Sequence, residues 1–429
     1  MHLRRDAFAL LACTLAACFN PNSDEDTDAA GTGTTAATGT NGTPDDGTVG
    51  PGSDTGGPGS TDGPTMGGMS TAGVDDTTTG DATTRGSMTD DSTDDSTDGG
   101  DATTTGAADG WQARRQLTFV GTVLDDGLTD FPLLVQLNSS RIEYEIMQPD
   151  GADLRFYDRN EVPLAYEIER WDPSGDSFVW VRVLEIDAND DHIFMDYGNP
   201  AAEDAQDPPG VWEGAYEAVW HLADDPTTGV IMDSTGNGHD GTLPVGSDAS
   251  SAAARVGPGI VMDGDDLITV PDAAGLNLSD HVTLEAWANP TSLAGSQIGI
   301  VERSFYYSLE AVRFFENPGG VGIRTGGLTQ GVGLASDLAT STWTHLSGTY
   351  EVDDAIRLIV DGALFDSTTV GAAAIPGNAT DITIGDGFSG TLDEVRIVGV
   401  EHSPTWIAAQ YESMTDQLLT FGPVIDPPR

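Results

Sequence analysis

Trp343-Thr-His-Leu-Ser-Gly-Thr-Tyr350 and Ala355-Ile-Arg-Leu-Ile-Val360, followed at once by Asp361-Gly362-Ala363, decide the fold. Apolar side chains recur at every second position in both runs, the period of a strand with one face toward a core. Asp-Gly between alternating runs is the strongest short hairpin signal, because both central positions of the favoured turn take positive φ. The pattern repeats outward, with strands predicted over Glu217–Ala223, Gly259–Asp263, Leu267–Val270, Val282–Ala288 and Leu392–Val398. One helix is predicted, with Ser403 as N-cap and Pro404 at the first helical position, running through Trp406, Ile407, Gln410 and Tyr411 and packing across a sheet.

A second set of strands lies upstream, over Leu117–Gly121, Phe131–Leu137, Asp153–Asp158, Pro163–Asp172, Ser177–Ile186 and His192–Tyr197. Leu164, Tyr166 and Ile168 point one way and Glu167 and Glu169 the other, as in a half-buried antiparallel strand. Pro208-Pro209-Gly210 marks a linker between the two sets. The fold class is therefore all-β, with two antiparallel β-sandwich domains over 111–210 and 211–424. Before them, 19–110 is Thr, Gly, Asp, Ser and Ala with almost no large apolar residue, and cannot form a core. It reads as a disordered tether with a random-coil span of roughly 50 Å and a taut limit near ~300 Å.

Charge and composition exclude whole function classes. The 429 residues carry 70 acidic and 17 basic side chains, a formal charge of −53, and every basic residue is arginine. Nucleic-acid binding through a basic patch is excluded, and without lysine so are the P-loop nucleotide site and Schiff-base chemistry. The two cysteines are Cys13 and Cys18, so no disulfide, thiolate or cysteine-zinc site is expected beyond them.

The first eighteen residues, with Arg4-Arg5, the apolar stretch Ala7–Leu15 and the box Leu15-Ala-Ala-Cys18, resemble a bacterial lipoprotein signal. That resemblance reads 1–18 as signal peptide and lipobox and implies removal of the leader ahead of Cys18, lipidation at Cys18 as the first residue of the mature chain, a membrane partner through the lipid anchor, and a place in the cell envelope at the outer membrane. Trp111–Leu117, Gly151-Ala-Asp-Leu-Arg-Phe-Tyr-Asp158, Val179-Trp-Val-Arg182 and Tyr197-Gly-Asn199 resemble the family called domain of unknown function 2341. The resemblance implies a β-sandwich commonly placed ahead of a lectin-like domain, and no catalytic residues. Val219-Trp-His-Leu222, Asp233-Ser-Thr-Gly-Asn-Gly-His-Asp-Gly241, Met262-Asp-Gly264, Val282-Thr-Leu-Glu-Ala-Trp287, Trp343–Tyr350, Leu358–Gly362 and Gly390-Thr-Leu-Asp-Glu-Val-Arg-Ile397 resemble the laminin-G-like, concanavalin A-like jelly roll. That resemblance implies two antiparallel sheets packed face to face.

Related folds include glucanases, which place carboxylates at alternate strand positions about 5 Å apart. The second domain lacks that pattern, since Asp393 and Glu394 are adjacent and should face opposite sides of a sheet. Glu185-Ile-Asp187 has the spacing but runs into a turn. No Gly-x-Ser-x-Gly elbow and no His-Glu-x-x-His occurs, and His221 and His345 read as structural histidines in strands. Calcium is the cofactor to expect, because acidic loops at a sandwich rim suit a cation that takes six to eight oxygens. Asp233 and Asn237 in the Gly-Asn-Gly loop and Asp393 on a strand are its candidate ligands, against a purely structural Asx turn. Phe305, Tyr306, Tyr307, Phe314 and Phe315 could stack on sugars, although strand alternation buries about half of such a run. Trp287, Trp343 and Trp406 read as core.

The expected function is a surface-anchored, monomeric lipoprotein that binds extracellular carbohydrate or protein and is not an enzyme. The alternatives are an architectural module that pairs with another envelope protein, or a polysaccharide-degrading enzyme.

Overall fold

Asp361 and Gly362 both adopt positive φ, 48° and 75°, and close the expected hairpin between Ala355–Val360 and Ala363–Thr369. A Cβ at Gly362 would also meet the Tyr411 Cβ at 2.9 Å and its ring at 3.0 Å, so space as well as dihedral demands glycine there. The chain is seen here in a computed structural model that describes residues 110–121, 127–187, 191–304, 306–312 and 318–427. Cys18, the tether, Phe305, Phe314 and Phe315 lie outside the described residues.

The hairpin ends an antiparallel sheet whose strands run Ser250–Ala253, Pro258–Asp263, Ser389–Val398, His281–Ser292, Thr344–Glu351, Ala355–Val360 and Ala363–Thr369. Tyr216–Trp220 pairs with the second half of Ser389–Val398. Facing it is an eight-stranded sheet of Leu328–Gly333, Gly320–Thr325, Tyr307–Val312, Ile298–Arg303, Ile382–Ile384, Ile268–Val270, Gly241–Thr242 and Val230–Ile231. Leu284, Ala286, Leu346, Ile356, Leu358 and Ile397 from the first sheet meet Ile268, Ile300, Leu309, Val321 and Ile384 from the second in one core.

The upstream sandwich is smaller. One sheet runs Leu419–Ile425, Ala113–Phe119, His192–Tyr197, Leu154–Tyr157 and Pro163–Leu164, and the other Leu128–Leu137, Ser177–Ile186 and Tyr166–Arg170. Leu117, Phe119, Phe131, Leu133, Val135, Phe156, Val179, Val181 and Met195 fill it.

One expectation about the chain's end is corrected. Leu419–Ile425, expected inside the second domain, pairs antiparallel with Ala113–Phe119 of the first sandwich, with Leu419 opposite Phe119. Without it Ala113–Phe119 would be a bare sheet edge with unpaired backbone groups. The helix Pro404–Met414 forms where Ser403 and Pro404 predict it, the Ser403 hydroxyl accepting from the Trp406 amide. It lies along the edge strand Leu128–Leu137 of the first sandwich, where Gln410 Nε2 donates to the Pro132 carbonyl at 3.1 Å and Ser413 Oγ accepts from the Leu134 amide at 2.8 Å. Its side chains thus satisfy backbone groups that no strand reaches.

The two sandwiches share packing. On His281–Ser292 the side chains of Leu284, Ala286 and Ala288 enter the larger core, while Trp287, on the opposite face, belongs to the first sandwich's cluster together with Val219, Val256, Ile359, Val398, Trp406 and Ile407. The sheet is therefore a middle layer, buried on both faces. Its second face still carries polar residues, with Thr283, Glu285, His345, Ser347, Thr349, Glu394 and Arg396 all buried. No helix among the described residues is long and apolar enough to cross a membrane.

Candidate functional site between the two sandwiches

Alternation on Tyr166–Arg170 sends Glu167 and Glu169 to one side, but that side is not solvent. The second sandwich covers it, leaving the Glu169 side chain 1% and the Glu167 side chain 11% exposed. Between the two glutamates and the middle sheet stands His221, just after Tyr216–Trp220. Its Nδ1 lies 2.7 Å from Glu394 Oε1 and 3.8 Å from Glu169 Oε2, and its Nε2 lies 3.3 Å from Glu167 Oε2. Indole groups complete the cage: Trp212 Nε1 donates to Glu167 Oε2 at 2.8 Å and Trp180 Nε1 to Glu169 Oε2 at 2.9 Å. Ser234 Oγ donates to Glu167 Oε1 at 2.9 Å. Arg396 Nη2 donates to Glu394 Oε2 at 2.5 Å, and its guanidinium lies 4.5 Å and 5.0 Å from the Trp180 and Trp212 ring centres.

Asp393 and Glu394 do not face opposite sides, contrary to simple alternation. Glu394 has φ 53°, and the register against His281–Ser292 shifts between Glu285 and Trp287. This bulge breaks the two-residue period. Both carboxylates are buried and both interact electrostatically with His221, while the Asp393 carboxyl Oδ2 accepts from the Val256 amide at 2.8 Å.

Four carboxylates, Glu167, Glu169, Asp393 and Glu394, thus meet two cationic groups, His221 and Arg396. Burial disfavours the His221 imidazolium, but Glu394 and Glu167 outweigh it and hold its pKa well above the ordinary value. Burial works against ionised Glu167 and Glu394, but His221 together with Trp212 and Ser234 on the one and with Arg396 on the other outweighs it, so both stay below the ordinary carboxylate value. Glu169 goes the other way, pushed up to about 8 by burial and by the charge of Glu394. Burial, then Glu394 and Glu169, raise Asp393 well above its ordinary value. Farther along the same face, Glu285 lies 3.6 Å from His345 and 3.8 Å from His402, and His402 stacks on Trp406 at 3.5 Å.

Residues 262–408 match the family model described as the concanavalin A-like lectin/glucanases superfamily, and residues 150–228 match that of a domain of unknown function, DUF2341. The chain carries a DUF2341 module followed by a concanavalin A-like jelly roll. The DUF2341 match passes the Pro208-Pro209-Gly210 linker and takes in Trp212 and His221, whereas Glu394 and Arg396 fall in the jelly-roll match. Both matched segments therefore contribute to the buried cluster.

No curated protein matches the chain. Among solved structures, the chain is similar to domain 4 of AbnA, a GH43 extracellular arabinanase from Geobacillus stearothermophilus, in complex with arabinotriose. The identity is 20% over 45% of this chain and 97% of that one, with a TM-score of 0.39. It is also similar to the binding domain of Paraclostridial Mosquitocidal Protein 1, at 14% identity over 46% of this chain and 52% of that one, TM-score 0.39. A third is the botulinum neurotoxin serotype D ligand binding domain in complex with N-acetylneuraminic acid, at 13% identity over 46% and 50%, TM-score 0.37. The chain spans about half the length of these two toxin domains.

The three residues expected to ligate calcium are not brought together. Asp233 Oδ1 accepts from the amides of Val219 and Thr235, and Oδ2 from the amide of His239. Its oxygens organise the loop, which is the Asx-type role. Asn237 Nδ2 donates to the carbonyls of Tyr216 and Glu217, clipping that loop to its neighbouring strand. Asp393 belongs instead to the cluster under the DUF2341 module of the chain, beside Val256. Among the described residues, acidic and histidine ligand atoms gather within 4.8 Å at Glu169, His221 and Glu394, and at the rim group Asp248, Asp263, Asp265 and Asp266. Of the aromatic candidates, Tyr307 is buried, its hydroxyl donating to the Leu276 carbonyl.

Two clefts flank the junction. One of about 240 Å³ is lined by Glu167, Glu169, His221, Asp224, Met232 and Ser234. The other, about 380 Å³, is lined by Asp207, Trp212, Glu213, Tyr216, Thr235 and Asn237, and offers carboxylates, an amide and a hydroxyl beside aromatic edges. Sequence reading passed over Glu167, Glu169 and Trp212. The available signal was the pair of tryptophans, Trp180 and Trp287, sharing short strand motifs with charged residues, which is a sign of a covered face.

Proposed function

We propose that the chain is a surface-displayed lipoprotein whose jelly roll recognises extracellular carbohydrate, with the DUF2341 module as its rigid mount. The observation that carries this reading is the match of 262–408 to the concanavalin A-like lectin/glucanases superfamily, in a chain whose two facing sheets have that architecture. The leader-like segment ending at Cys18 and the long polar stretch after it support display away from a membrane. The cleft of about 380 Å³ supplies the polar groups that sugar hydroxyls require, with Asp207, Glu213 and Asn237 as acceptors or donors.

Envelope assembly is the second reading. It is favoured by the amount of one sheet face spent on the DUF2341 module rather than left free for ligand. The test is binding of the full chain, without its first 18 residues, to a broad glycan array with calcium and with chelator. Saturable binding that free glycan competes away, weakened by Asn237→Ala, is the expected result. No binding in either condition overturns the carbohydrate reading and directs attention to a co-purifying envelope protein.

A further inference from the structure

We propose that Glu169, His221 and Glu394 form a binding site for a divalent first-row transition-metal ion, probed as zinc, at the junction of the DUF2341 module and the jelly roll. Their ligand atoms lie within 4.8 Å of one another. Around an ion held at 2.0–2.1 Å, tetrahedral ligands stand roughly 3.3 Å apart. His221 Nδ1 sits 2.7 Å from Glu394 Oε1 and 3.8 Å from Glu169 Oε2, which brackets that spacing.

A second observation points to a cation. Glu169 Oε1 and Asp393 Oδ1 are buried and have no hydrogen-bond partner, although a lone buried carboxylate oxygen is costly. Asp393 lies on the same buried face and interacts electrostatically with Glu394, Glu169 and His221.

The surroundings are those a metal-bound histidine needs. Its other nitrogen, Nε2, lies 3.3 Å from Glu167 Oε2, and Glu167 is itself fixed by Trp212 Nε1 and Ser234 Oγ. That is a carboxylate–histidine–metal arrangement, with Glu167 as a positioning residue. Trp180 Nε1 and Arg396 orient Glu169 and Glu394 in the same way. The cleft of about 240 Å³ supplies an entry path past Glu167 and Glu169. One imidazole with carboxylates suits zinc or a neighbouring transition metal better than calcium, which takes oxygen ligands. Loading would release the proton shared by His221 Nδ1 and Glu394, and any proton on Glu169, so the metal takes the place of protons in the cluster.

The test is titration of the chelator-stripped full chain with zinc chloride, by calorimetry in two buffers of different ionisation enthalpy, with metal content measured after desalting. One zinc per chain with proton release is expected. Glu169→Gln, which keeps volume and the bond from Trp180, should weaken binding on the order of 100-fold or more, and Glu167→Gln 10- to 100-fold, the usual range for an outer partner. Asp263→Asn, in the exposed rim group, should leave affinity unchanged. Absence of zinc binding, or binding lost in Asp263→Asn and kept in Glu169→Gln, overturns the proposal. Should Glu169→Gln fail to fold, X-ray absorption of the zinc-loaded unaltered chain decides: scattering from one imidazole supports the site, and none refutes it.

Discussion

Glu169→Gln in the metal-free chain, with chelator present, tests the electrostatics of the junction most directly. Burial and Glu394 push the Glu169 carboxyl from an ordinary 4.5 up to about 8. Between those values the folded chain keeps a proton that the unfolded chain has released, so its contribution is complete below 4.5 and is lost as pH rises through 8. A rise of about 3.5 at about 1.4 kcal/mol for each pH unit gives at most about 5 kcal/mol. About 4 kcal/mol of that falls between pH 5 and 8.5, and spread over about 300 ordered residues, with an unfolding entropy near 2.1 cal/mol/K each, it corresponds to a Tm decrease of about 6 °C. Glutamine cannot titrate, yet it still accepts from Trp180 Nε1, so the variant's Tm should fall much less over the same range. Some slope remains, because the raised His221 has the same sign and releases its stabilisation as pH rises further. Scanning calorimetry at half-unit pH steps gives both curves. Parallel curves would refute the claim that Glu169 is held protonated by burial.

Asp233→Ala should destabilise the chain by about 3 kcal/mol, since three amides lose their acceptor. The loss should be equal in calcium and in chelator. A loss confined to calcium-containing buffer would restore Asp233 as a ligand. Ser403→Ala removes the side-chain acceptor for the Trp406 amide and should cost about 1 kcal/mol. An unchanged denaturant midpoint would mean that the cap contributes nothing beyond what water supplies.

Local features of the fold were legible because local chemistry fixes them. Asp361-Gly362 takes the positive φ its turn requires, and Ser403-Pro404 starts the helix where its hydroxyl can cap. Which strand faces were covered was not legible. Glu167, Glu169, Thr283, Glu285 and His345 alternate with apolar neighbours as they would beside water, and only the other sandwich makes those positions interior. The bulge at Glu394 left no mark, since a glutamate with φ 53° has no signature comparable to glycine. The same bulge brings Asp393 and Glu394 together, so the cluster at the junction could not be assembled from strand periodicity. The partner of Leu419–Ile425 lies some three hundred residues earlier in the chain, a pairing that no local pattern encodes.

That last pairing has a consequence for how the protein comes into being. As the chain emerges from N to C terminus, Ala113–Phe119 appears early, but the strand that covers its outer edge appears only after the jelly roll. The first sandwich must therefore wait, with an open edge, while the whole jelly roll is made. A product cut short anywhere between the first sandwich and Leu419 would expose a sticky edge to quality-control proteases or to another copy.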